Sequence, residues 1–90
     1  MSKAAQLEAY GWVNAACCYT KTFDFKAFSE ALAFIQQVGI HAERTQHHPQ
    51  LINTYTKVTL NLWTHDTGGI TAQDEDWILS FEQQRAENEA

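Results

Sequence analysis

An apolar stripe with helical spacing lies in the middle of the chain, and segments with the character of β-strands flank it on both sides. The stripe consists of Phe28, Ala31, Leu32, Ile35, Val38 and Gly39. Asp24 is a suitable N-cap for this helix, with Phe23 placed to pack on Phe28. The helix can continue through Arg44 but must end before Pro49, because proline disfavours helical geometry in the residue that precedes it. A helix with one apolar face needs a sheet or another helix to cover that face.

The flanking segments predict four strands. Residues Trp12–Phe25 have a β-like composition and are long enough for two strands with a bend near Asn14–Ala16. The segment that follows the helix is too long for one strand of a small domain. We expect a turn at Thr56–Lys57 to divide it into a hairpin of Gln50–Tyr55 and Val58–Thr64.

Helices are expected at both ends of the chain. Met1–Tyr10 has weak amphipathic spacing, and Thr71 followed by Asp74 forms a variant of the capping box that begins a last helix. The predicted order is α-β-β-α-β-β-α, which indicates an α+β fold with a four-stranded antiparallel sheet and helices packed on one face. The length predicts a single domain over residues 1–90.

The amino-acid composition indicates which classes of partner and which cellular compartment to expect. The 90 residues are 44% hydrophobic and 12% aromatic, with a formal net charge of −5 that argues against direct nucleic-acid binding. No apolar run approaches the ~20 residues of a membrane span, and the first residues lack the apolar stretch of a signal peptide. The adjacent Cys17 and Cys18 are expected to be reduced, since a bridge between neighbours is strained. We therefore expect a soluble protein in the cytoplasm without membrane or nucleic-acid partners.

Histidines cluster around the proline break and the end of the hairpin, namely His47, His48 and His65. Glu43 lies four residues before His47, so the two share one face if the helix persists that far. A carboxylate in that position would fix the tautomer of the imidazole and raise its basicity. Taken singly, each residue also has a structural interpretation: a histidine favours a helix C-terminus, and Asp74 suits a helix N-terminus.

These histidines and Glu43 are also potential zinc ligands. Adjacent histidines such as His47 and His48 rarely both reach one ion, and the proline-broken helix lacks the His-x3-His face of a zincin. We therefore predict no metal site.

One pattern in this chain resembles the signature of the pterin-4a-carbinolamine dehydratases: Glu43-x3-His47-His48-Pro49-x5-Tyr55-x9-His65-x8-Asp74. The likeness extends to Gly11-Trp12, to Leu62-x-Thr64-His65 and over residues 7–82 as a whole. Leu51 and Thr56 depart from the family's usual residues, but neither is a proton-transferring group.

The resemblance implies a dehydratase that removes water from a 4a-hydroxytetrahydropterin to give the quinonoid dihydropterin, in tetrahydrobiopterin recycling. It implies histidine general acid/base catalysis with no redox cofactor or metal. The implied catalytic residues are His47 and His65, with Glu43 orienting His47. The implied substrate-binding residues are His48, Pro49, Thr64 and Asp74.

A non-catalytic binding module of the same fold is the alternative, because relatives of this kind also act as a dimerisation partner and transcriptional coactivator. The retention of Glu43 and the histidines together favours catalysis. The resemblance implies a homodimer or a homotetramer. Trp63 and Phe34, which lie off the main apolar stripes, are candidates for that contact.

Overall fold

Seven elements make up the chain in the computed structural model, which describes residues 2–89 (without the side chains of the last two). They are α1 (Lys3–Ala9), β1 (Val13–Asn14), β2 (Tyr19–Asp24), α2 (Phe28–Thr45), β3 (Gln50–Thr54), β4 (Lys57–Leu62) and α3 (Ala72–Glu89). The order confirms the α+β prediction. Met1 and Ala90, which the predicted first helix and domain include, lie outside the described residues.

The four strands form one antiparallel sheet in the order β1-β2-β4-β3. The central pair β2 and β4 runs from Tyr19 opposite Leu62 to Asp24 opposite Lys57, and Gln50 of β3 lies opposite Asn61. The outer strands β1 and β3 are the edges of this sheet. One face of the sheet is apolar and the other is largely polar, as expected when helices cover a single face.

The core lies between this apolar face and the helices. Alternate residues of the central strands point into it, and α3 contributes Trp77, Ile78 and Phe81. Aromatic rings join the layers: Phe34 of α2 lies 4.5 Å from Phe23 and 5.8 Å from Phe81 between ring centroids. Burial of this apolar surface is the main source of stability.

The buried face of α2 differs from the predicted stripe. Its buried residues are Ala31, Phe34, Val38, His41 and Ala42. Phe28 and Leu32 are exposed, at 42% and 48%. The prediction that Phe34 serves as a contact between copies is therefore wrong, because Phe34 is 4% exposed and packs in the core.

The beginning of α2 also differs from expectation. Asp24 does not cap the helix; it ends β2, where its carboxylate pairs with the Lys57 ammonium at 2.8 Å. The helix begins at Phe28 after Ala27, whose side chain makes no capping hydrogen bond. Asp24 is held in the sheet ladder, so the chain needs further residues to turn into the helix.

Two loops follow the predictions closely. The bend between β1 and β2 contains Ala16 in the left-handed region, with a φ of 72°, and the Asn14 side chain accepts a hydrogen bond from its N–H at 2.9 Å. The hairpin turn occupies residues 55–56, one residue earlier than expected, and Tyr55 adopts the positive φ of 51°. None of the helices described between residues 2 and 89 is long and apolar enough to cross a membrane.

Candidate active site

The end of α2 places His47 and His48 in different environments, one buried and one exposed. The helix ends at Thr45, and Gln46 follows in the left-handed region with a φ of 54°. The Gln46 side chain donates to the Glu43 carbonyl at 2.7 Å, and the His47 N–H donates to the Ala42 carbonyl at 3.1 Å. This C-terminal turn closes the helix and points His47 inward, where it is buried, while His48 remains exposed.

Asp74 meets His47 from the first turn of α3. Its Oδ2 accepts from the Thr71 N–H at 2.8 Å, and the Thr71 hydroxyl accepts from the Gln73 N–H at 3.2 Å, which confirms the expected capping box. The same Oδ2 accepts from the Thr64 hydroxyl at 2.9 Å. Oδ1 lies 2.5 Å from Nε2 of His47. A carboxylate at a helix N-terminus is stabilised by the helix dipole, which helps to hold this fully buried group.

The contact between Asp74 and His47 determines which ring nitrogen is available for chemistry. A carboxylate can only accept, so Nε2 of His47 carries the hydrogen that is donated to Asp74. No hydrogen bond within the described chain occupies Nδ1 of this ring. That nitrogen can therefore accept a proton from a bound molecule, or return one to it, at the wall of the cavity described below.

Glu43 does not orient His47, contrary to the sequence-based expectation. Its Oε1 lies 2.8 Å from Nε2 of His48, and both side chains are largely exposed. The reason is the left-handed conformation of Gln46, which ends the helix before His47 can come to lie one turn beyond Glu43. Glu43 therefore orients the second histidine, and Asp74 orients the first.

A cavity with a volume of about 300 Å³ lies beside His47 and the residues that follow β4. Its lining consists of Gln46, His47, His48, Thr64, His65, Asp66 and Gln73. His65 is exposed at its rim and lies beside Trp63, with the ring centroids 5.1 Å apart. The cavity thus brings together His47, His48 and His65 around one hollow.

The other expected site residues stand behind this lining. Asp74 forms hydrogen bonds with His47 and with Thr64. Glu43 forms a hydrogen bond with His48 at the surface, and Pro49 immediately precedes β3. The sequence did not indicate Gln46, Asp66 or Gln73 as lining residues. Each of the three is adjacent in the sequence to an expected site residue, and this adjacency is the feature that could have indicated a place in the lining.

A zinc site would require the imidazoles and the Glu43 carboxylate to point at a single metal ion. Within the described part of the chain, no group of three or more His, Cys, Asp or Glu side chains is arranged to hold a metal ion. Instead, His47 and His48 each direct Nε2 to a different carboxylate.

The sheet covered on one face and the carboxylate-held imidazoles at its end define a small α+β protein with a site suited to proton transfer. The chain belongs to the pterin 4 alpha carbinolamine dehydratase family, whose model matches residues 2–83.

Individual relatives agree with this membership. The chain is 45% identical over 74 residues to a protein of Afipia carboxidovorans, and 44% identical over 62 residues to one of Novosphingobium aromaticivorans. Both are named as candidate pterin-4-alpha-carbinolamine dehydratases. The matches cover 80% and 69% of this chain, and 74% and 65% of the relatives.

The fold is shared with a solved structure. A transcriptional coactivator/pterin dehydratase from Brucella melitensis superimposes with a TM-score of 0.73 at 31% sequence identity. The match covers 92% of this chain and 95% of that chain.

Proposed function

We propose that this protein catalyses the dehydration of a 4a-hydroxytetrahydropterin to the quinonoid dihydropterin. Family membership supports the reaction class, and the buried His47–Asp74 pair at the cavity is the observation that supports the mechanism. The whole chain, residues 1–90, would act as one catalytic domain of this family.

The reaction requires two proton transfers. The 4a-hydroxyl must gain a proton to leave as water, and N5 of the ring must lose a proton as the C4a–N5 double bond forms. Hydroxide is a poor leaving group, so a positioned acid assists its departure, typically by about 10²–10⁴-fold. No redox cofactor or metal is needed for this balance.

His47 and His65 would carry the two transfers from opposite sides of the pterin. Asp74 orients His47 and holds the hydrogen on Nε2, so that Nδ1 can give and take the proton. His48, oriented by Glu43, would bind the ring together with Pro49 and Thr64.

The test is a stopped-flow absorbance measurement of carbinolamine decay with purified His47→Ala and His65→Ala proteins. We expect each to lose about 10²-fold or more in the catalysed rate. A matched control is His41→Gln, since His41 lies outside the cavity, between α2 and α3. Undiminished rates in both His47→Ala and His65→Ala would contradict the proposal.

A binding role is the second candidate, supported by the description of the Brucella neighbour as a coactivator as well as a dehydratase. Leu32 and Ile40 of α2 are 48% and 53% exposed, away from the cavity, and could serve such contacts. If binding were the function, His47→Ala would leave it unchanged, whereas Leu32→Asp would abolish it.

The proposed setting is the cytoplasm, in tetrahydrobiopterin recycling, as a homodimer or homotetramer. The two free cysteines agree with a reducing compartment. Within residues 2–89, the outer edges of β1 and β3 pair with no further strand, which agrees with assembly because an exposed strand edge can pair with a second chain. Light scattering coupled to gel filtration measures the assembly directly.

A further inference from the structure

The two cysteines of the chain, Cys17 and Cys18, lie next to each other in the bend between β1 and β2. Ala16 precedes them with a φ of 72°, and the Cys17 N–H donates to the Ala15 carbonyl at 2.9 Å, as in a γ-turn. Neighbouring side chains of an extended strand point to opposite faces, but this bend interrupts the strands. As a result, Cys17 and Cys18 both line one cavity.

This second cavity has a volume of about 310 Å³ and lies on the polar face of the sheet. Besides the two cysteines, its lining consists of Gln50, Asn61, Trp63 and Gly68. Cys17 is exposed and Cys18 is partly buried, so a molecule that enters the cavity from solvent can reach both residues. The Asn61 amide already donates to the Gln50 side chain at 3.0 Å. The sulfur atoms are therefore the reactive groups of this lining, and neither has a role in the proposed proton transfers.

The number of donors and their protonation decide which ligand suits this pair. Burial raises the pKa of the Cys18 thiol, and the neighbouring Cys17 adds to the shift, so Cys18 is protonated near neutral pH. A metal ion binds thiolates, and a structural zinc ion takes four ligands. Among the side chains that the structure describes, no group of three or more His, Cys, Asp or Glu residues is placed to hold a metal ion. The pair therefore suits a centre that reacts with two neutral thiols.

We propose that Cys17 and Cys18 form a binding site for a trivalent arsenical that carries one organic group, R–As(OH)2. Each S–H bond breaks as an As–S bond forms, and each As–O bond breaks as the hydroxyl leaves as water with the thiol proton. Arsenic stays trivalent, so the step needs no oxidant or reductant. A direct bond between the two neighbouring sulfur atoms would be strained, whereas a bridging arsenic atom enlarges the ring. An aromatic R group can pack against the Trp63 ring in the same cavity.

The first experiment titrates the full chain with phenylarsine oxide, which hydrates to the R–As(OH)2 form, and measures the intact mass after unfolding. We expect the mass of a single chain with one phenylarsenic group. Cys17→Ser and Cys18→Ser should each weaken binding by about 100-fold or more, because the second As–S bond of the wild type forms within one molecule. Ethanedithiol should release the arsenical, whereas the same concentration of 2-mercaptoethanol should not. Unchanged affinity in either variant, or the mass of two bridged chains, would overturn the inference.

A second experiment separates a site made by the fold from the adjacency of two thiols in the sequence. In urea that unfolds the chain, the affinity for phenylarsine oxide should fall by about tenfold or more, because the bend no longer holds both thiols at one cavity.

In the folded protein, Trp63→Leu should weaken the binding of phenylarsine oxide by about three- to tenfold, the size of an aromatic contact, and leave the binding of arsenite unchanged. Ile52→Ala is the matched control, because it removes an exposed apolar side chain on the Gln50 face of β3 outside the cavity. Equal affinities in the folded and unfolded chains would overturn the inference, and this comparison stands even if circular dichroism shows that Trp63→Leu does not fold. Equal effects of the two folded variants would also overturn it.

Discussion

The Nε2 atom of His47 lies 2.5 Å from Oδ1 of Asp74, although His47 follows the C-terminus of α2 and Asp74 lies in the first turn of α3. Asp74 is fully buried, and its second oxygen is occupied by Thr64 and by the N–H of Thr71. One carboxylate therefore both begins α3 and orients the imidazole at the cavity. This contact joins the stability of the helix to the chemistry of the site.

Replacing Asp74 with asparagine should reduce kcat by at least about tenfold, because the histidine loses the carboxylate that orients the ring and fixes its tautomer. The amide preserves the size of the side chain, so KM should change much less. Thr71→Val is the control, because it weakens the helix cap but leaves the His47–Asp74 pair in place. Stopped-flow kinetics should show a kcat close to wild type for Thr71→Val; an equal loss in both variants would indicate a structural effect alone.

Glu43→Gln should have a smaller effect than Asp74→Asn. The Glu43–His48 pair is exposed, with 74% and 54% of the side-chain surfaces accessible, and exposed pairs contribute about 0–1 kcal/mol. We expect a change of less than about fivefold, mainly in KM, since His48 binds the ring in the proposed mechanism. A loss in kcat as large as that of Asp74→Asn would show that Glu43 acts directly in proton transfer.

Local signals in the sequence were sufficient for the fold. Residue alternation in β4, the break at Pro49 and the Thr71–Asp74 box each depend on neighbouring residues, and the structure agrees with all three. Local patterns also explain the wrong prediction that Asp24 caps α2. Its partner in the structure, Lys57, is distant in the sequence and is not visible to a local pattern.

The sequence predicted which histidines belong to the site, but not which carboxylate contacts each of them. The cluster of histidines was visible from spacing, whereas the partner of His47 depends on one residue, Gln46, that turns left-handed and ends the helix. Asp74 is distant in sequence from His47, so a periodicity argument could not find their contact. Pairing between distant segments requires the tertiary structure.

Phe34→Ala should destabilise the protein by about 3–5 kcal/mol, the usual cost of removing a buried aromatic ring. Phe34 contacts Phe23, Phe25 and Phe81, so the cavity left behind would be lined by rings from β2 and α3. Leu32→Ala, on the exposed side of the same helix, should change the free energy of unfolding by no more than about 0.5 kcal/mol. Urea denaturation of the two variants would establish which face of α2 is buried; similar losses would contradict the observed orientation.

Glu82→Ala should cost about 2 kcal/mol or more, because its buried carboxylate accepts from three donors. These are the Trp12 indole at 2.8 Å, the Lys21 ammonium at 2.6 Å and the Arg85 guanidinium at 2.8 Å. The matched control is Asp76→Ala, whose exposed pair with Lys3 should contribute less than about 1 kcal/mol. Urea unfolding at moderate salt distinguishes them, and equal effects would show that the buried carboxylate adds nothing beyond a surface pair.

His41 should make the protein less stable as the pH falls. Burial lowers the pKa of His41, because the charged imidazolium loses solvation and Nδ1 is buried without a partner; the positive charge of Arg44 adds to this, whereas the hydrogen bond from Nε2–H to the Trp77 carbonyl at 3.2 Å opposes it in part. In the unfolded chain the imidazole titrates near its ordinary value of about 6.5, so the unfolded state takes up a proton that the native state does not. The free energy of unfolding should therefore decrease as the pH falls through about 6.5 and level off once the native imidazole is protonated as well. Subtracting the values for His41→Gln cancels the other three histidines, and the stability of the wild type relative to this variant should decline from about pH 8 to about pH 5. A difference that stays constant across this range would show that His41 titrates alike in both states.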